Sequence, residues 1–128
     1  MRVLLPWIFV FLSCVSVRAE SEAFPEQIRG FWAAKKATCD VLKARGPGLL
    51  RQDQFWLKIT ATEVLGSTQG RFFRQLPDRS SEIASAQMSF EIQMFDESDL
   101  MEELTLTRDG HLYERIVGAR GFGNFLKC

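Results

Sequence analysis

A chain of 128 residues that is 46% hydrophobic and 25% charged, with a formal net charge of zero, makes one globular domain and has no room for two independent cores. Its 16 basic and 16 acidic residues are mixed along the chain without a basic stripe, which argues against nucleic acid as a partner. No apolar run reaches the roughly 20 residues that span a bilayer.

The first apolar run has a different meaning. Met1-Arg2 leads into an uncharged stretch from Val3 to Leu12, and Val17-Arg18-Ala19 then sets small residues at the −3 and −1 positions of a cut before Glu20. A basic start, a short apolar core and a small-x-small exit predict a signal peptide over residues 1–19, cleaved between Ala19 and Glu20, and a single domain over 20–128. A rival route reads Leu12-Ser13-Cys14 as a lipobox with Cys14 as a lipidated N-terminus, although Phe11 stands where such signals usually carry Leu. Cleavage after Ala19 takes Arg2 and Arg18 from the 16 basic residues, leaving 14 against 16 acidic ones and a net charge of −2. The expected product is exported, periplasmic or secreted, monomeric, and without a transmembrane segment.

Of the three cysteines, Cys14 leaves with the signal. Cys39 and Cys128 stand near opposite ends of an exported domain and are expected to form a disulfide; two free buried thiols are the alternative.

Along the mature chain, residues 20–28 read as a polar arm and Gly30-Phe31-Trp32-Ala33-Ala34 as the first strand. Cys39 to Arg45 suits one or two helical turns, capped by Thr38 or Asp40 and stopped at Gly46-Pro47. Phe55, Leu57 and Ile59 alternate with Gln54, Lys58 and Thr60, with Trp56 as the exception. Val64-Leu65 returns after a turn at Ala61–Glu63, and Arg71 to Leu76 follows the Gly66–Gly70 cluster. The strongest signal is Ala84, Ala86, Met88, Phe90, Ile92 and Met94 at every second position, with Ser85, Gln87, Ser89, Glu91 and Gln93 between them on an expected solvent face. Asp96 to Asp99 turns the chain, Leu104 and Leu106 alternate with Thr105 and Thr107, and Arg108-Asp109-Gly110-His111 is an Asp-Gly hairpin. Gly118, Gly121 and Gly123 punctuate the approach to the last strand and suggest kinks or bulges.

These segments predict an all-β fold of seven or eight short strands joined by short turns, a small antiparallel up-and-down barrel or strongly curled sheet. Nine phenylalanines in the mature chain are enough to fill so small a barrel, so any internal cavity is expected to be small.

Gly30-Phe31-Trp32 on the first strand of such a meander resembles the Gly-x-Trp signature of the lipocalin and calycin barrels. The mature chain is also similar to a group of small exported bacterial Gly-x-Trp barrel proteins, through Gly30 and Trp32, Cys39, Leu57-Lys58-Ile59 and the terminal Cys128. The resemblance implies a barrel plugged at its closed end by Trp32, packed against an arginine of the last strands, Arg115 or Arg120. The chain is shorter than a lipocalin and lacks that family's long loop and C-terminal helix. The bacterial serralysin inhibitors are also small Gly-x-Trp barrels, but their disulfide lies within the N-terminal part.

Chemistry-bearing residues are sparse. His111 lies at a turn, with Asp109 its nearest acid, and reads as a solvated side chain. One histidine and two paired cysteines cannot supply four zinc ligands. Asp96, Glu97, Asp99, Glu102 and Glu103 form the densest acidic cluster, without the spacing or the glycine of a calcium loop, and are expected to be a solvated charged turn. Arg71, Arg74 and Arg79 around Phe72-Phe73 make a basic-aromatic hairpin, a composition enriched at binding hot spots and also ordinary on an outer barrel face. The expectation is therefore a non-enzymatic binding protein with no catalytic, cofactor or metal residues, whose partner is a protein or a small ligand; an inhibitor of a hydrolase is one concrete form. The alternative is a structural or host-contact envelope protein without a discrete ligand site.

Overall fold

The computed structural model describes residues 22–77, 83, 85–96, 100–116 and 123–128. Residues 1–21, which include the expected signal peptide with Cys14 and the Ala19–Glu20 bond, lie outside them, as do Arg79, Ala84, Glu97, Asp99, Gly118, Arg120 and Gly121. Eight strands follow in chain order: β1 (Gly30–Ala33), β2 (Trp56–Ile59), β3 (Glu63–Gly66), β4 (Gly70–Leu76), β5 (Ala86–Met94), β6 (Met101–Thr107), β7 (His111–Ile116) and β8 (Gly123–Lys127). A single helix, α1 (Lys36–Arg45), lies between β1 and β2.

Each strand pairs antiparallel with the next, and β8 returns to β1 through Trp32↔Lys127 and Ala33↔Leu126. The result is a closed up-and-down barrel with no free edge, the outcome that short sequential turns favour. Because side chains alternate along a strand, the register carries one inward set right round the barrel. Trp32, Leu57, Ile59, Val64, Phe90, Ile92, Leu104, Leu112 and Phe125 are all buried there in one cluster.

The N-terminal arm closes one end from within. The Phe24 amide donates to the carbonyl of Ala61 at 2.7 Å, and the Phe24 ring meets Phe72 and Phe90 edge-on at 5.0 and 5.4 Å. A single 3₁₀ turn, Glu26–Ile28, then brings Ile28 under Trp32, whose indole Nε1 donates to the Ile28 carbonyl at 2.8 Å. Residues 22–28 thus serve as the plug. Burying a phenylalanine side chain in this way is worth about 1.5–3 kcal/mol.

The helix covers the outside of β1 and β2. Ala33, Cys39 and Leu42 form a second small core with Phe31, Leu50, Trp56 and Cys128. This explains why Trp56 breaks the alternation of its strand: it faces outward but lies under α1. The helix begins at Lys36, earlier than the Cys39 expected, and Thr38 is buried inside it instead of capping it. It ends at Gly46, whose amide bonds the Leu42 carbonyl. Cys39 and Cys128 are joined, with an S–S distance of 2.05 Å, so the disulfide ties α1 to the residue after β8.

The Asp-Gly hairpin forms where expected, Gly110 taking a φ of +86° that suits glycine. In β4 the register shifts between Phe72 and Arg74, a bulge that leaves Phe72 packed on the core and Phe73 exposed. Gly70 is required at the start of that strand, since a Cβ there would lie 2.6 Å from Ile92 Cγ2 and 2.7 Å from the Gln93 carbonyl. One expectation is corrected. The outer face of β5 is not uniformly solvated: Ser89 is buried, its hydroxyl 2.8 Å from that of Thr105. Among the described residues, no helix is long and apolar enough to cross a membrane.

Candidate functional site

Two features stand apart from the hydrophobic barrel: a pair of carboxyls inside it and a cluster of aromatics outside it. The inner pair follows from strand period. Leu106 and Leu104 face inward on β6, so two residues back Glu102 must do so as well; Leu112 faces inward on β7, so Glu114 does too. Glu102 lies level with Ile92 of β5 and Ile116 of β7, and Glu114 with Leu104 of β6 and Gly123 of β8. Both sit toward the end that carries α1 and the turn from β3 to β4, away from the plug formed by residues 22–28. From that turn Thr68 donates its hydroxyl to Glu114 Oε1 at 2.8 Å.

Glu102 is 1% exposed and its carboxyl is hydrogen-bonded to that of Glu114. Two carboxylates have no donor between them, so this bond requires a proton. Burial, the bond to Glu114 and the charge of Glu114 push Glu102 from 4.5 up to about 9. Oε2 of Glu102 and Oε2 of Glu114 are both shielded from solvent, and among the described residues no N–H or hydroxyl donor reaches either.

The acidic cluster is thereby corrected. Asp96 is exposed, as expected of a turn, but Glu102 and Glu103 are strand residues, 1% and 3% exposed. Glu103 faces out and accepts a bond from Arg115 at 2.9 Å, next to the Arg74–Glu91 pair at 2.7 Å. No group of three or more His, Cys, Asp or Glu among the described residues could hold a metal.

Arg115 therefore does not pack against Trp32. Leu112 and Glu114 take the inward positions of β7, which turns Tyr113 and Arg115 outward. The cation over the Trp32 ring is Lys127 Nζ at 5.8 Å, which also donates to the Gln27 carbonyl. Arg120 lies outside the described residues. His111 Nδ1 is 3.0 Å from Asn124 Oδ1 on the outer surface, and Asp109 is bonded to the Thr107 hydroxyl.

The outer cluster lies on β4 and the end of β5. Phe73, lifted on the bulge, is 54% exposed, and the Arg71 guanidinium sits 5.5 Å over the partly exposed ring of Phe95. Arg74, by contrast, is held by Glu91. Comparison with protein-family models, with curated proteins and with solved structures finds no match.

The carboxyl pair makes stability depend on pH in an unusual direction. The folded state keeps the Glu102 proton between about 4.5 and about 9, where the unfolded chain has lost it. The folded state then binds more protons, so stability is highest below the unfolded value and falls through that window, by up to about 1.4 kcal/mol per pH unit. Glu102→Gln keeps the shape and a donor without the charge. It is expected to flatten the fall and to raise stability at pH 8 by a few kcal/mol, read from urea melts at pH 5 and pH 8.

Proposed function

We propose that this is an exported, non-enzymatic binding barrel that meets a protein partner on its outer wall. The observation that carries the reading is Phe73. A bulge spends ladder regularity to present a large aromatic side chain to solvent, next to an arginine stacked on a second phenylalanine. Phenylalanine and arginine on a rigid strand can anchor a protein interface at little entropic cost. The interior speaks against a lumenal small ligand, because Phe24, Phe72 and Phe90 pack into one another there. The lone histidine, bonded to an asparagine amide on the surface, is poorly placed for acid–base chemistry. An inhibitor of a hydrolase remains one form of such a protein.

The test compares capture by immobilised mature protein with capture by its Phe73→Asp variant. Phe73 is exposed, so the variant should melt with the parent. Its affinity for the captured protein should fall by about 2 kcal/mol or more, roughly thirtyfold. Equal capture by both, or no specific capture by either, would favour the structural envelope reading.

A further inference from the structure

The inner carboxyl pair lies far from the plug and is tied to a turn that is itself held on several sides. The Ser67 amide donates to the Trp56 carbonyl at 2.9 Å, the Trp56 amide donates to Ser67 Oγ at 2.9 Å, and Thr68 donates to Glu114. One residue on, the Gln69 carbonyl accepts from the Phe95 amide at 3.1 Å, and Phe95 carries the Arg71 guanidinium on its ring. A continuous path therefore runs from Glu102 through Glu114 to Thr68, along the backbone to Gln69, and through the Phe95 amide to the outer aromatic rim.

We infer that the Glu102–Glu114 pair is a proton-operated latch, which fixes the Ser67–Gln69 turn and the Arg71–Phe95 rim in place only while the two carboxyls share a proton. The inference rests on the buried pair and its link to Thr68, and it stands whether or not Phe73 contacts a partner.

Among the described residues, nothing near the pair can replace the proton. Facing Glu102 and Glu114 are Ile92 from β5, Leu104 from β6, Gly123 from β8 and Thr68 from the turn. Glu103 and Arg115, their neighbours in sequence, point out of the barrel and bond each other there. Asp96, after β5, is exposed. Among the described residues, the one cation at an inward register position is Lys127, held at the opposite end against Trp32 and Gln27. Loss of the proton leaves two negative carboxylates side by side in the barrel, each with a buried oxygen that no N–H or hydroxyl of the described residues reaches. They repel, and the less enclosed Glu114 can retreat only by dragging or releasing the Thr68 hydroxyl. Burial holds Glu102 at about 9, so the latch is closed in acid and at neutrality and opens in base.

The experiment is NMR of the mature protein between pH 6 and pH 10, following side-chain carboxyl carbons and backbone amides together. One glutamate carboxyl should titrate with a midpoint near 9, and the amides of Ser67, Thr68 and Phe95 should shift with the same midpoint. The Phe24 amide and the Trp32 indole N–H, at the plug, should stay still. Glu102→Gln should abolish both titrations. Thr68→Val should keep the alkaline carboxyl titration while the turn amides cease to follow it. Three results would each overturn the latch: every carboxyl titrating in the ordinary acidic range, an alkaline titration with motionless turn amides, or turn amides that still follow it in Thr68→Val.

Discussion

Phe90→Asp is expected to abolish folding. Phe90 is fully buried in the middle of β5, level with Leu104 and in edge contact with Phe24. A carboxylate at that point would sit among aromatic rings with no cation or donor of the described residues aimed at it, a burial that costs far more than a small domain's whole stability of about 5–15 kcal/mol. Protonating the new side chain to escape the charge would still leave an unpaired polar group and a cavity. Phe90→Ala removes the ring alone and should cost about 3–5 kcal/mol, because Phe24, Phe72 and Leu104 cannot close the space together. The matching control on the outer face is Gln87, which is exposed, and Gln87→Lys should stay within about 0.5 kcal/mol of the parent. Ser89 would be a poor control, since its hydroxyl is buried against Thr105. Urea melts of the three variants decide the matter. A Phe90→Asp protein with the parent's midpoint, or a Gln87→Lys protein damaged more than Phe90→Ala, would mean that the inward face of β5 is misassigned.

Local period made much of this barrel readable, and long-range closure hid the rest. Alternation from Met88 to Met94 identified β5 and its inner face, although a register shift between Ala86 and Met88 sets Ala86 opposite the outward Thr107, and Asp109-Gly110 fixed the hairpin after β6. Two cysteines near opposite ends of a domain expected to be exported were enough to pair Cys39 with Cys128. The role of Phe24 was not legible, because the polar arm of residues 20–28, with Pro25 inside it, carries no period, and only the closed barrel creates the hole that its ring fills. The place of α1 was legible only in part: Trp56 was recognisably out of pattern, but nothing in its own strand says that a helix covers it.

Glu102 and Glu114 are the instructive miss. Grouped with Asp96 and Asp99 by proximity, Glu102 looked like part of a solvated turn. The signal that would have found it was already present, since counting back in twos from Leu106 and Leu104 lands on Glu102, and counting forward from Leu112 lands on Glu114. Composition suggested a charged loop while strand period demanded an inward carboxyl, and strand period prevailed. The resemblance-based expectation for Arg115 met the same rule from the other side. If Leu112 is inside, an odd step along β7 cannot be.

Removing the disulfide should have the second large effect. Cys39 and Cys128 are 89 residues apart, so the bond closes most of the folded chain into one loop. In the chain-entropy account a loop of that size restricts the unfolded ensemble by roughly 4–5 kcal/mol at room temperature. For a domain of this size each kcal/mol is worth about 4–8 °C, so the doubly substituted protein should melt tens of degrees lower. Alanine is the better replacement at Cys39, which is buried against Ala33 and Leu42, where a serine would add an unpaired hydroxyl to the entropic loss. The loss should also be uneven. The barrel strands remain hydrogen-bonded right round, including the Cys128 amide to the Phe31 carbonyl at 2.9 Å, whereas α1 keeps only the small core it shares with Phe31, Ala33, Leu50 and Trp56. Amides of α1 should therefore lose exchange protection before those of β5 and β6 in the Cys39→Ala/Cys128→Ala protein. A melting temperature within a few degrees of the parent would show that the bond adds little beyond the contacts around it. Uniform loss of protection across helix and barrel would show that α1 folds as one unit with the strands, not as an outer element held on by sulfur.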